Sequence, residues 1–532
     1  MDAFRKFLLS KIPLAASAAG AGLTKQSKNF SFKVFQPRKV KVLVTPCEFY
    51  DELCDQILKT QRKVSIASLY LGTGDKEKQL QECLCKLVES NSKVQVRVLV
   101  DKNRGTRPDP VTGSSTASMC TALLHSATQH NVDAHHNVNV NFFKMPRGPK
   151  ASRLRVFVES YMPPRFNEMF QTFHMKAYVF DDKVILTGAN LSTDYFTNRQ
   201  DRYVVIECSA LAKFYHELID ILGKYSYTLQ SPITPNFEEN NLTIAESARP
   251  PLFSLHSSKA LEENSKGLAC ELENLMTRNT ASDVDRIELT TATTICAPTI
   301  QFKALGIDYD EKVTSSFLSS VLSAGDQINV ASGYLNFTDN YTKLMAENKA
   351  LTRVMTASPK ANGFYTANGI SGSLPLAYSL LQQRFMETFN TLRASMRMDG
   401  EVEPEDLYMY EYMREGWTFH GKGMWYIPGA KIEANSGHDD ESSVQYPTGT
   451  VVGSSNFGWR SVIRDAETQV YLHTIDKNLQ RDLHKEWEEM EKYTANVHAD
   501  TFKFAGRHTQ DFLSWKYGHW INIGSRLART FM

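Results

Sequence analysis

The 532-residue sequence lacks the marks of several protein classes. No stretch approaches the roughly 20 apolar residues that a membrane-spanning helix needs, so any membrane contact is expected to be peripheral. The eight cysteines (Cys47, Cys54, Cys83, Cys85, Cys120, Cys208, Cys270 and Cys296) are scattered. They form no CxxC pair, no zinc spacing and no compact disulfide framework, which points to a reducing compartment. Net charge is nearly absent: 60 Lys/Arg against 59 Asp/Glu leave +1. Nine of those cations and one acid fall within residues 1–41, so the remaining chain carries −7. A body of that sign is a poor nucleic-acid binder, because such affinity rests on neutralising phosphates with many cations.

What is present suffices for large cores: 42% of residues are hydrophobic and 22% charged, over a length that holds two to four domains. Residues 1–40 are amphipathic, basic, Ser-containing and acid-poor, the composition of a mitochondrial transit segment, and the folded part is expected to begin near Val40. Beyond it, KVKVLVTP (39–46) reads as a strand and SIASLYLGTG (65–74) as a buried strand ending in a glycine turn. Residues 76–90 have helical spacing and 93–101 read as another strand, an α/β order. The pattern recurs at 328–338, 340–350 and 352–358. Ile66-Ala67-Ser68-Leu69-Tyr70-Leu71 matches Val330-Ala331-Ser332-Gly333-Tyr334-Leu335, so two related α/β halves are expected, at 41–230 and 291–532. Between them, 231–290 is polar and proline-punctuated and reads as a linker or insert; 430–449 reads as a surface loop.

The most specific chemical signal is FHMKAYVFDD, with His174, Lys176 and Asp181 spaced H-x-K-x4-D. Strand-like alternation over 173–180 places His174 and Lys176 on one face. An imidazole nucleophile beside a fixed cation suits covalent phosphoryl transfer. FHGKGMWYI repeats the spacing with His420 and Lys422. Asn190 is followed eleven residues later by Asp201, and Asn456 eleven residues later by Glu467. The position equivalent to Asp181 is Ile427, so the second motif lacks its carboxylate. Asp181, at an odd offset from His174, is expected to turn away from the site and serve the structure. Weaker signals are Gly72 and Gly74, a strand-to-helix turn that lacks P-loop spacing but suits a strand-end ligand site, and Arg104 and Arg107, which either clamp a phosphate or are solvated arginines.

With its paired HxK motifs, the chain resembles the phospholipase D superfamily, whose two halves form one active site. The segments IASLYLGTG, RGTR (104–107), PPRFNE (163–168), HMKAYVFDD, GANLSTDYFTNRQDRY (188–203), ASPKANGFY (357–365) and WTFHGKGMW (417–425) are similar to the eukaryotic mitochondrial CDP-diacylglycerol–glycerol-3-phosphate 3-phosphatidyltransferase family. The resemblance implies two phospholipase D-like domains with mixed sheets flanked by helices, related by a pseudo-two-fold axis. It implies CDP-diacylglycerol and glycerol 3-phosphate as substrates, at the mitochondrial inner membrane, matrix side. It assigns His174, Lys176, Asp181, His420 and Lys422 to the catalytic motifs, with Asn190, Asp201, Asn456 and Glu467 in support. His174 becomes the nucleophile and His420 the acid and base; Glu467 is expected near His174 and Asp201 near His420. The covalent chemistry implied needs no cofactor, and no metal site is assigned. The alternative is another member of the superfamily (a cardiolipin synthase, phospholipase D or phosphodiesterase) or a non-catalytic lipid-binding scaffold. Residues 511–532 mix Phe512, Trp515 and Trp520 with Lys516, Arg526 and Arg529, and read either as a dock on an anionic membrane or as a packed terminal helix.

Overall fold

The β-branched runs KVSIAS and QINVAS become the central strands of two nine-stranded sheets in the computed structural model. It describes residues 2–10, 33–130, 137–146, 171–230, 244–246, 258–278, 288–365, 372, 374–396, 406–429 and 445–502. The segments 11–32, 163–168 and 511–532, and most of 430–449, lie outside the described residues.

The first half contributes β1 (Lys39–Leu43), β2 (Lys63–Ser68), β3 (Gln95–Asp101), β4 (Val138–Phe143), β5 (Ala177–Phe180), β6 (Lys183–Thr187), β7 (Arg199–Gln200), β8 (Tyr203–Glu207), β9 (Tyr227–Leu229) and β10 (Ile244–Glu246). The second contributes β11 (Thr294–Phe302), β12 (Ile307–Asp308), β13 (Gln327–Ser332), β14 (Leu351–Ala357), β15 (Leu407–Tyr412), β16 (Thr418–Phe419), β17 (Lys422–Ile427), β18 (Gly449–Gly453), β19 (Glu467–Thr474) and β20 (Thr494–Val497). The sheet orders are β1-β8-β6-β5-β2-β3-β4-β9-β10 and β12-β11-β19-β18-β17-β13-β14-β15-β20. Eight successive positions correspond, β1 with β11 through β9 with β20, and each sheet adds one edge strand at opposite ends. In both, the three strands β2-β3-β4 or β13-β14-β15 run parallel, and the HxK strand (β5 or β17) pairs antiparallel with the first of them.

Local sequence explains the helices that cover these sheets. Pro46 opens α2 (Pro46–Lys59), where Thr45 and Glu48 form a capping box that satisfies free N–H groups. The helix after β2 spans Asp75–Ser90 and buries Leu80, Leu84, Leu87 and Val88, the stripe its spacing predicts. One apolar core runs through both halves, from Val179, Leu186 and Ile206 to Ile295, Val330 and Leu472. A second lies on the outer face of the first sheet, between β2, β3 and their helices.

Three expectations need correction. The folded part does not begin near Val40: Ala3–Ser10 forms α1, and Phe4 and Leu8 are completely buried. Arg5 donates to the carbonyls of Leu289 (2.9 Å), Thr290 (3.0 Å) and Ala292 (2.6 Å). The amphipathic, basic pattern that reads as a leader also writes a packing helix. Second, of the two readings of 231–290 the bare linker gives way to the insert, since Ser258–Thr277 is a helix that buries Leu268, Leu272, Leu275 and Met276 in the shared core. Third, regular strand begins only at Ala177 and Lys422, so His174, Lys176 and His420 sit on the irregular approach to their strands.

Candidate active site

The two histidines are positioned by backbone pairing between the halves. Phe173 bridges Ala466, and His174 N donates to Ala466 O at 2.9 Å. Likewise β16 pairs with β7, joining Phe419 to Gln200, and His420 N donates to Gln200 O at 2.7 Å. The residue after each acceptor is a carboxylate, so this register carries it to the imidazole of the opposite half. His174 Nδ1 lies 2.9 Å from Glu467 Oε1, and His420 Nδ1 lies 2.6 Å from Asp201 Oδ2. The crossed arrangement that the resemblance implies is the one observed.

Each lysine folds back on its own motif. Lys176 Nζ donates to His174 O (2.8 Å) and Lys422 Nζ to His420 O (2.7 Å), with Asp201 Oδ2 at 3.4 Å. Both lysines are fully buried. A Cβ at Gly188 would overlap Lys422 Nζ, so that glycine admits the cation from the other half. Burial disfavours charge on every member. It holds both imidazoles well below the ordinary histidine value, assisted at His174 by Lys176 and at His420 by Lys422. It also lowers Lys176 to about 7 and raises Glu467 to about 7, each shift opposed by the charge of the other.

At His174 a carboxylate at Nδ1 keeps the hydrogen there and leaves Nε2 with a lone pair, whereas His420 Nδ1 is shared by Asp201 Oδ2 and Lys422 Nζ, each at 2.6 Å. Here the halves differ. The His174 side chain is 15% exposed, and its Nε2 has no hydrogen-bond partner among the described residues. His420 Nε2 is met by Tyr195 Oη at 3.2 Å, which also accepts from Asn190 Nδ2 at 3.2 Å. The His420 ring stands edge-on between Tyr195 (5.0 Å, 82°) and Tyr334 (5.4 Å, 81°). The side-chain oxygens of Asn190 and Asn456, at equivalent places, are buried without a partner among the described residues.

The chain is 33% identical to the mitochondrial CDP-diacylglycerol–glycerol-3-phosphate 3-phosphatidyltransferase of Gallus gallus over 519 residues, covering 92% of this chain and 83% of that one. It is 31% identical to the enzyme of that name from Saccharomyces cerevisiae over 489 residues, covering 88% and 85%. The chain belongs to the CDP-diacylglycerol–glycerol-3-phosphate 3-phosphatidyltransferase family. The family model described as cardiolipin synthase, PLD-like domain, matches residues 53–222. Among solved structures, phosphatidylserine synthase from Haemophilus influenzae Rd KW20 shares the fold, with a TM-score of 0.64 at 16% identity over 94% of this chain and 97% of that one.

Within this family member, several residues grouped with the site stand elsewhere. Asp181 lies at the far end of β5 from His174 with φ +49°, and its carboxylate accepts from the backbone N of Gln61 (2.8 Å), Arg62 (2.9 Å) and Lys63 (2.9 Å). It ties the β5–β6 hairpin to the start of β2 and touches neither imidazole. In the second half Asp326, just before β13, reaches in the reverse direction to Gly429 N (2.9 Å) in the equivalent hairpin. That carboxylate supplies the missing tie and explains how Ile427 is accommodated. Gly72 and Gly74 form no phosphate cradle: the Glu77 carboxylate fills the space beside them and accepts from Thr193 N (2.6 Å) and Thr193 Oγ1 (2.8 Å). A carboxylate there repels a diphosphate. Arg104 stays beside the site, stacked on Tyr70 with Cζ 4.1 Å from the ring centroid, and Arg107 lies in the turn that closes on Arg104 O.

The sequence reading missed Tyr195, Arg199 and Tyr334 as site residues. The repeat held a signal for one pair, since Tyr70 and Tyr334 occupy the same place in IASLYL and VASGYL. It held another in charge order. Asp194 and Arg199 form an ion pair at 3.2 Å, and the equivalent positions are Arg460 and Asp465, paired at 3.0 Å with the signs exchanged.

Proposed function

We propose that this protein transfers the phosphatidyl group of CDP-diacylglycerol to glycerol 3-phosphate, forming phosphatidylglycerophosphate and CMP on the route to phosphatidylglycerol and cardiolipin. Membership of the family supports the reaction; the unequal environments of the two Nε2 atoms support a division of labour. His174 Nε2 attacks the phosphorus that bears diacylglycerol, forming a P–N bond as the P–O bond to CMP breaks. Glu467 steadies the resulting imidazolium. The 1-hydroxyl of glycerol 3-phosphate then attacks phosphorus, its proton passes to His420 Nε2, and the P–N bond breaks to free His174. Lys176, Lys422, Asn190 and Asn456 face the transferred group and stabilise its charge.

The mitochondrial names of the relatives support a mitochondrial location, and we place the protein on the matrix side of the inner membrane, bound peripherally. No helix among the described residues is long and apolar enough to cross a bilayer. Purified protein incubated with CDP-diacylglycerol and, in turn, water, glycerol 3-phosphate, phosphatidylglycerol or serine tests the reading through the lipid formed. Phosphatidylglycerophosphate from glycerol 3-phosphate alone is expected, with no product from His174→Ala. Cardiolipin formed from phosphatidylglycerol, or phosphatidic acid formed equally well from water, overturns it.

A further inference from the structure

The two guanidiniums exchanged across the pseudo-two-fold are not equally free. Arg460 is held by Asp465 through two bonds, Nε to Oδ2 at 3.1 Å and Nη2 to Oδ1 at 3.0 Å, and that carboxylate is almost completely buried. Arg199 meets Asp194 through one nitrogen, and Asp194 is 61% exposed at the rim. Its Nε donates to Thr418 Oγ1 at 2.9 Å, which fixes the plane of the guanidinium. Nη1 has no hydrogen-bond partner among the described residues, although the side chain is only 14% exposed. Such a cation retains most of its charge for a ligand.

Hydroxyl groups gather around Arg199. Arg199 lies over the Tyr195 ring at 4.8 Å, and Tyr195 touches His420. Tyr70 Oη lies 3.1 Å from Ser192 Oγ. A Cβ at Gly363 would fall 2.9 Å from Tyr334 Oη and 3.0 Å from Arg199 Nη2, so the absent side chain leaves clear the space on which both groups converge. Burial raises Tyr195 and Tyr334, and the charges of Arg199 and Tyr70 act on both, as close neighbours do. A cation flanked by hydroxyl donors is the chemistry that recognises a phosphate monoester dianion. The Tyr195 ring touches both groups: its centroid lies 4.8 Å from Arg199 Cζ and 5.0 Å from the His420 ring centroid. A short carbon spacer between hydroxyl and phosphate suits a cation that reaches His420 through Tyr195, whereas the phosphate of a departing nucleotide is held next to the reacting phosphorus by a single bridging oxygen.

We propose that Arg199, with the hydroxyls of Tyr334 and Tyr70, binds the phosphate of the acceptor and so presents the acceptor's hydroxyl to His420. This rests on the transfer reaction proposed above and locates its specificity. In mixed micelles, initial rates are measured against glycerol 3-phosphate, glycerol and CDP-diacylglycerol for the wild type, Arg199→Met, Arg199→Lys and Tyr334→Phe. Arg199→Met is expected to raise KM for glycerol 3-phosphate about 30-fold or more and to erase the preference over glycerol, with KM for CDP-diacylglycerol unchanged within about threefold. Arg199→Lys recovers part of the loss, and Tyr334→Phe, which removes one oxygen and keeps the packing, raises the same KM about 3- to 10-fold. An unchanged KM for glycerol 3-phosphate in both Arg199→Met and Tyr334→Phe overturns the inference, as does an increase confined to CDP-diacylglycerol. A wild type that makes no phosphatidylglycerophosphate overturns the transfer reaction itself and the inference with it.

Discussion

At the scale of single residues, the site brings lysines, carboxylates and imidazoles together where water cannot screen them. Burial keeps both histidines neutral at physiological pH, the state a nucleophile and a base require. The same burial raises Glu467 and lowers Lys176, both to about 7, so these two members change charge near neutrality. Glu467 is ionised above that value and can then stabilise the His174 imidazolium; below it, the carboxyl is neutral and that support is lost. Turnover is therefore expected to fall as pH drops through about 7. Glu467→Gln should lower turnover by about 100-fold or more and leave KM for CDP-diacylglycerol nearly unchanged, because the amide still holds the ring but cannot balance its charge. The residual activity of that variant should lack the acid limb. A Gln variant that keeps the wild-type limb would show that another group titrates there.

At the scale of elements, α1 shows how one pattern serves two purposes. Phe4 packs against Phe317 (4.9 Å), Tyr426 (5.9 Å) and Tyr471 (6.5 Å), and a Cβ at Gly449 would overlap its ring. Asp2 accepts from Thr448 Oγ1 at 2.6 Å and anchors the entry of the helix. Phe4→Ala is expected to cost about 3–5 kcal/mol in denaturant unfolding. Gly449→Ala should also destabilise, and the double variant should lose less than the sum, since truncating Phe4 makes room for the new methyl. Strict additivity would place the two residues apart. The central strands and the Asp75–Ser90 helix were legible because period and propensity there agree with burial. The approach to each HxK strand was not, because apolar Phe173 and Phe419 extend the alternation into residues that instead pair with the other half. Asp326 was invisible for a related reason: it makes the tie of Asp181 from the neighbouring strand, with donor and acceptor sides exchanged, and shares no sequence position with it.

At the scale of the whole molecule, the repeat predicted two similar halves but could not show that they share one core and exchange charges across it. The firmest of these ties is Arg202, wholly buried beside the carboxylate that orients His420; its own backbone N donates to Asp201 Oδ1 at 2.8 Å. Its guanidinium crosses into the second half. Nε and Nη2 donate to Glu486 at 2.9 and 2.8 Å, Nη1 donates to Val451 O at 2.8 Å, and the group stacks 3.6 Å from the Trp425 ring centroid. Gly423, at φ +148°, leaves the space that the guanidinium enters. Removing one partner of such a pair leaves the other charged and dry, a loss of about 3–5 kcal/mol. Arg202→Met is therefore expected to lower unfolding free energy by that amount, and Arg202→Met with Glu486→Gln should recover part of it, because no buried charge is then uncompensated. Turnover should fall in both variants, since Asp201 loses the neighbour that fixes its backbone against the second half. The measurement is paired denaturation and initial-rate kinetics. Full stability in Arg202→Met would mean that water reaches Glu486, and that the shared apolar core alone holds the halves in register around the site.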